Sequence, residues 1–320
     1  MALLTSDKKY ELDVLCFGEA IVDFFPEAPG TPLVDVEVFR RHLGGAPANV
    51  AVGLARHGVR AGLMTMVGPD DFGKFIKKRL AAEGVDVATV GTHASAKTAV
   101  TFVAVGSRGE RSFMFFRHPS ADQAMAPADV DPARIASSRV FHFGSSTLSR
   151  EPGRAATLAA FEAAAASGCI LSTDPNLRRH LWERPDDAPP ILRGLLARCD
   201  LVKVSDDEIL ALTSTADPRA AAAALRDLGA SVVIVTLGAE GCWYDAPAGK
   251  GMVPGEPAIA VDCTGAGDAF VAGVLSALQP RFSAGLRPAD LDEKTIRDAC
   301  IRGNQLGARA VTALGATTSV

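Results

Sequence analysis

The stretch DCTGAGDAF at 262–270 sets Gly265, Ala266 and Gly267 directly before an aspartate, Asp268. It follows the β-like PAIAVD and leads into GAGDAFVAGVLSALQ, whose apolar spacing is helical, so the glycines fall at a strand-to-helix junction. The first turn of a helix exposes unpaired N–H groups and carries about half a unit of positive charge. With no side-chain bulk in the way, an anion can approach those amides closely. A carboxylate one residue further on repels phosphate, so Asp268 makes better sense as a base taking a proton from a hydroxyl beside it. An anion hole next to a positioned base suits phosphoryl transfer. The plainer alternative is a helix capped by Thr264, with Asp268 complementing the dipole. On this stretch alone both stay open.

A second glycine pair, Gly44 and Gly45, opens the helical GGAPANVAVGLARHG at 44–58. Asn49 is polar in what should be a buried first turn, and its amide offers the donor and acceptor that a sugar diol requires. A capping asparagine with a local backbone bond explains it equally well.

Two such helix mouths need strands to deliver them. DVLCFGEA, RAGLMTMVG, SRVFHFG, CILSTDPN, DLVKVS and SVVIVTLG read as short apolar strands, and helical runs such as DDFGKFIKKRLAAEG and GRAATLAAFEAAAASG alternate with them. That rhythm predicts βαβ units and a parallel sheet covered on both faces. Residues 20–37 and 97–117 break it, being rich in β-branched and aromatic residues with no helix between. The second reads as a hairpin, TAVTFVAV and RSFMFF about a turn at GSRGE, and the two segments are predicted to pair as a small lid sheet.

The chain has 320 residues, with 33 Lys plus Arg against 37 Asp plus Glu, a formal charge of −4. That balance argues against nucleic acid, which calls for clustered positive charge. Cysteines 16, 169, 199, 242, 263 and 300 form no CxxC pair and read as reduced thiols. MALLTSDKKYELD lacks a basic-then-apolar signal pattern, and no apolar run approaches the ~18 residues of a membrane span. The expectation is a cytoplasmic protein with neither membrane nor nucleic-acid partner.

The two glycine motifs together, with VGPDDFG, GERSFMFFRHPSAD, DPNLRRHLW and KVSDDEI, make the chain resemble the PfkB-type, or ribokinase-like, sugar kinases over nearly its whole length. Within that family it looks most like the fructokinases. The resemblance implies an α/β fold: a ribokinase-like three-layer α/β/α sandwich, mainly parallel, as a single domain over 1–320 with the lid segments inserted. It implies ATP and Mg²⁺, with K⁺ as a further cation, and a small sugar as substrate. The lid's apolar residues, Phe113, Phe115 and Phe116 among them, are expected to pair across two chains into a homodimer.

Residue by residue, the resemblance makes Asp268 the general base and the 265–267 amides the anion hole. Asp23 in GEAIVDFF, with Gly44, Gly45 and Asn49, matches the sugar floor, and Arg117 matches a substrate-facing arginine whose plainer reading is a solvated lid edge. DPNLR lies at a predicted strand end, where open α/β sheets bind ligands. Asp174 and Asn176 fall on the nucleotide side, and Arg178 has the fork for a phosphate. In KVSDDEI, Lys203 and Ser205 match nucleotide positions and Glu208 the residue ordering Mg²⁺ and its waters, although the family pattern has Asn where Ser205 stands. Asp206 and Asp207 read as solvated helix-start charges. Thr236, Gly238 and Gly241 in VTLGAEG resemble the ATP loop, and Asn304 the residue flanking adenine. Asp262, Thr264, Ala310, Ala313, Gly315 and Ser319 match the monovalent-cation positions. Cys263, replacing the usual Thr, reads as packing.

Other signals fall away. GPDDFGKF nearly spells a P-loop, but Phe75 replaces its hydroxyl and Asp70 and Asp71 repel phosphate. FRRH at 39–42 reads as a short solvated basic face. Two rivals remain: a kinase of the same architecture for 2-keto-3-deoxygluconate, ribose or a nucleoside, and a non-catalytic sugar or nucleotide sensor.

Overall fold

The computed structural model describes residues 10–27, 30–105, 111–117 and 120–318. The turn expected at 106–110 and the cation position Ser319 lie outside the described residues.

The first strands are β1 (Leu12–Phe17), β2 (Ile21–Pro26) and β3 (Phe39–Gly44), followed by α1 (Ala46–Arg56). Then come β4 (Ala61–Val67), α2 (Asp71–Ala82), β5 (Val90–Thr92), β6 (Val100–Val105) and β7 (Arg111–Phe116). The middle of the chain gives α3 (Pro132–Ala136), β8 (Ser138–Phe143), α4 (Gly153–Ala166), β9 (Ile170–Thr173) and α5 (Ala188–Leu196). It continues with β10 (Leu201–Ser205), α6 (Asp206–Thr213), α7 (Pro218–Leu228), β11 (Val232–Thr236), β12 (Gly241–Ala246) and β13 (Gly249–Pro254). Two long helices, α8 (Ala266–Ser283) and α9 (Glu293–Ala310), follow.

Nine strands form one sheet in the order β13-β12-β11-β10-β9-β8-β1-β4-β5. From β11 to β5 every neighbour runs parallel, while β12 and β13 pair antiparallel at one edge. Strand alternation sends side chains to two separate cores. Val232 and Ile234 of β11 join the core under α1, α2, α8 and α9, while Val233 and Val235 join the one under α3 to α7. Strands buried on both faces explain the continuous apolar runs in the sequence. Three layers result, helices on sheet on helices.

The small sheet runs β3-β2-β6-β7, with β2 antiparallel to β3 and parallel to β6, and β6 antiparallel to β7. Among the described residues of 20–37 only Ile21–Pro26 is strand; Leu33–Asp35 is a single 3-10 turn. The fourth strand is FRRHLG, whose basic half was expected to be merely a solvated face. Arg40 and Arg41 are indeed exposed, as suits the charged edge of a sheet. The near-P-loop is a helix start instead: Asp70 caps α2, accepting from Gly73 N at 2.9 Å, and also accepts from Thr98 N at 2.9 Å ahead of β6.

Candidate active site

A cleft of about 410 Å³ opens where the C-terminal ends of β1, β8, β9, β10 and β11 meet the small sheet. Such strand ends are where open α/β sheets hold ligands. Asp23, Gly45, Asn49, Arg117, Asp174, Asn176, Arg178, Lys203, Ser205, Glu208, Thr236, Gly238 and Thr264–Asp268 all line it.

Gly265, at φ 79°, turns the chain into α8, and no side chain caps the helix. Thr264 is occupied elsewhere, its N and Oγ1 donating to Asp262 Oδ1 at 3.0 and 2.7 Å, so the Thr264-cap alternative fails. A Cβ on Gly265 would stand 2.4 Å from the Ala316 Cβ, which makes glycine obligatory there. One amide departs from expectation: Ala266 N already donates to Cys263 O at 3.2 Å, leaving the flanking glycine amides as the better donors for an anion. Beneath the turn lies Lys203 Nζ, 3.0 Å from where a Gly267 Cβ would be. Lys203 is itself buried and bonded to Asp174 Oδ2 at 2.9 Å, a cation under the cradle at the cleft wall.

Asp268 sits in the first turn of α8, buried, and its Oδ2 accepts from Asn49 Nδ2 at 2.8 Å. The bond joins motifs 219 positions apart and disposes of a purely local role for Asn49. Burial pushes the Asp268 carboxyl up to about 7, helped by Asp174 and Glu19 and opposed by Asn49 and Lys203. A carboxyl at that value is matched to proton abstraction near neutral pH. Asp23 also rises to about 7, through burial and then the charges of Asp262, Asp268 and Glu19. Its carboxylate lies flat on Gly44, where a Cβ would come within 2.0 Å of Oδ2. Gly44 therefore serves the site by making room for Asp23, and it does not itself line the cleft.

Among the residues expected to face the nucleotide, Asp174 Oδ1 accepts from Asn176 N at 3.2 Å, in a turn that puts Asn176 at φ 44°. Ser205 begins α6, and both its N and Oγ donate to Glu208 Oε2 at 2.8 Å, while Leu177 N donates to Glu208 Oε1. Burial, with Asp174 nearby, raises the Glu208 carboxyl above its ordinary value. Asp206 and Asp207 are exposed at the cleft wall. No group of three or more His, Cys, Asp or Glu side chains suited to a metal occurs among the described residues. This donor set fits a Mg²⁺ carried in by nucleotide phosphates and waters, the usual habit of that ion in kinases, and does not fit a protein cage. Asp262 ties the cation-position loops together, its Oδ2 accepting from Gly315 N at 2.9 Å. The Gly315 carbonyl accepts from Thr318 N at 3.1 Å.

The pfkB family carbohydrate kinase profile matches residues 11–320. The chain belongs to the pfkB family of carbohydrate kinases. A probable fructokinase-7 of Arabidopsis thaliana is 39% identical over 306 residues, covering 95% of this chain and 88% of that protein. A fructokinase double mutant from Vibrio cholerae O395, in its fructose-, ADP- and potassium-bound form, superposes with TM-score 0.84 at 33% identity, covering 97% of this chain and 96% of that one. A putative ribokinase II from E. coli with ATP and Mg²⁺ superposes with TM-score 0.86 at 28% identity, covering 96% and 95%. The ribokinase-like α/β architecture and ATP-dependent sugar-kinase chemistry are thus those of this family member. No helix among the described residues is long and apolar enough to cross a membrane.

Several expected positions lie off the cleft. Asn304 donates from its Nδ2 to Pro254 O at 2.9 Å and Val253 O at 3.3 Å, which holds β13 against α9. Gly241 serves backbone geometry, at φ 106° with Val253 O only 2.1 Å from a would-be Cβ. Asp262, Ala310, Ala313 and Gly315 do not line the cleft either. Arg117 is no solvated edge: it is buried, donating to Ser146 Oγ and Asp122 Oδ2. Cys263 is exposed at the cleft and does not pack. Glu19, Thr101, Ser145, Ser146, His180 and Trp182 line the cleft without having been singled out. For Glu19 the signal was present, a carboxylate between two apolar strands in FGEAIV.

Proposed function

We propose that this carbohydrate kinase transfers the γ-phosphoryl group of ATP to a hydroxyl of fructose, giving fructose 6-phosphate, with Asp268 as general base. The observation carrying the reading is the Asn49–Asp268 hydrogen bond beside an uncapped helix start. It sets a base of matched pKa, a sugar-binding amide and an anion cradle at one point. The fructokinase relatives and the fructose-bound neighbour support fructose as acceptor.

In this reading fructose lies on Asp23 and Asn49, with Arg117 at the lid side. Asp268 accepts the proton of the attacking hydroxyl, which lies in line with the transferred group. The glycine amides at the mouth of α8, with Lys203 beneath, stabilise the charge on that group. Glu208 would hold the waters of a Mg²⁺ entering with the nucleotide phosphates, and that ion would neutralise phosphate charge. The small sheet acts as a lid inserted in a single 1–320 domain, and its closure keeps water from ATP. The loops joined by Asp262 are the place for K⁺. Phe116 and Met114, exposed on the edge strand β7, are the surface for a lid-to-lid homodimer. Six cysteines, none in a disulfide, suit the reducing cytoplasm.

The test is ADP release measured across fructose, ribose, 2-keto-3-deoxygluconate and nucleosides, with and without potassium. Fructose is expected to give the highest kcat/KM. Absence of ADP release with fructose removes the reading.

A further inference from the structure

Four buried polar atoms without a hydrogen-bond partner among the described residues belong to one neighbourhood: Glu19 Oε2, Asn49 Oδ1, Asp122 Oδ1 and Arg117 Nε. Glu19, Asn49 and Arg117 line the cleft, each at least nine-tenths buried, and Asp122 stands behind Arg117 in an ion pair. Three of the four atoms accept hydrogen bonds and one donates. A hydroxyl answers both kinds, because it donates and accepts at once. A carboxylate only accepts, so it would satisfy Arg117 alone and set a further negative charge against Glu19 and Asp122.

The charge of the arginine is also already paired. Its Nη2 donates to Asp122 and its Nη1 to Ser146 Oγ, so a substrate carboxylate would have to compete with Asp122 for the guanidinium. Glu19 is held in place by its other oxygen, which accepts from Ala46 N at 3.2 Å. Asp23 adds another acid on the same wall. Charge and hydrogen-bond polarity therefore agree: this end of the cleft is built for an uncharged polyol.

We propose that Asp122, together with Glu19, is the specificity device that admits a neutral sugar and refuses a sugar acid. The proposal rests on the cleft being a sugar-kinase acceptor site and says which chemistry of acceptor it takes. Asp122 works by neutralising Arg117; Glu19 works by repelling a substrate carboxylate and accepting from a hydroxyl.

The experiment measures kcat/KM for fructose and for 2-keto-3-deoxygluconate in the wild type, Asp122→Asn and Glu19→Gln. Both replacements keep side-chain volume, and the ratio of the two substrates cancels any loss of folded enzyme. Asp122→Asn is expected to raise the acid-to-fructose ratio about ten-fold or more, as release of a like-charge clash does. Glu19→Gln is expected to raise it by a smaller factor, and it carries the same test if Asp122→Asn folds poorly. Wild-type turnover of fructose with an unchanged ratio in the folded variants overturns the selector and leaves the proposed function standing. A wild type that uses the acid as well as fructose also overturns it, and turnover of neither overturns both.

Discussion

Two helices of this protein start at glycines, and the cleft uses their starts in opposite ways. α1 begins after Gly45 at φ 99°, and its first amide, Ala46 N, is taken by the Glu19 carboxylate. The next position is Pro47, which has no amide hydrogen. α8 begins after Gly265 at φ 79°; its first amide, Ala266 N, turns back to the Cys263 carbonyl, and no side chain caps it. The first mouth is closed by a carboxylate, while the second has no side-chain acid on it and leaves its glycine amides open. A closed mouth fixes the helix, and α1 is fixed so that Asn49 meets Asp268. An open mouth keeps its partial positive charge for a ligand. Glycine before a helix is therefore not by itself an anion site; what decides is whether the chain supplies its own carboxylate.

Blocking the open mouth should have the larger effect. Gly265→Val imposes a branched side chain on a left-handed residue already in close contact with Ala316. Steady-state kinetics should show turnover lower by roughly 10²–10³, the usual cost of losing one anion-hole donor. Turnover within a few-fold of wild type would mean that the α8 start does not bear the charge.

Cutting the link between the two helices should cost less. Asn49→Leu removes the donor that holds the Asp268 pKa down against burial, Asp174 and Glu19. The carboxyl then rises beyond about 7 and is more protonated at neutral pH. A fall in kcat/KM of about ten-fold at pH 7, partly recovered at higher pH, is the expected result for a lost bond to a charged group. A uniform fall with no change in the pH profile would assign Asn49 to sugar binding alone.

The same contrast marks what the sequence makes legible. Period and turn chemistry expose the parallel sheet, its helices and both glycine mouths, because those depend on residues close together along the chain. Glu19 could not be matched to Ala46 that way, since the bond spans 27 positions and exists only once β1 and α1 are packed. β3 was hidden because the first half of an edge strand carries Arg40 and Arg41 where a core strand would be apolar. Thr264 looked like a cap by type and proximity, but Asp262, two residues away, claims both its donors. Cys263 went the same way: its residue type was readable, its exposed surroundings were not.

The most direct test of a buried carboxyl as the base is the pH dependence of kcat/KM for fructose in the wild type and Asp268→Asn. The base works only when deprotonated, so wild-type kcat/KM should fall as pH drops through about 7, the value to which burial raises Asp268. Asp268→Asn should lose that limb and lie lower by about 10²–10⁴ while still binding ATP. A variant that keeps near-normal turnover, or the same limb near neutrality, would contradict the account.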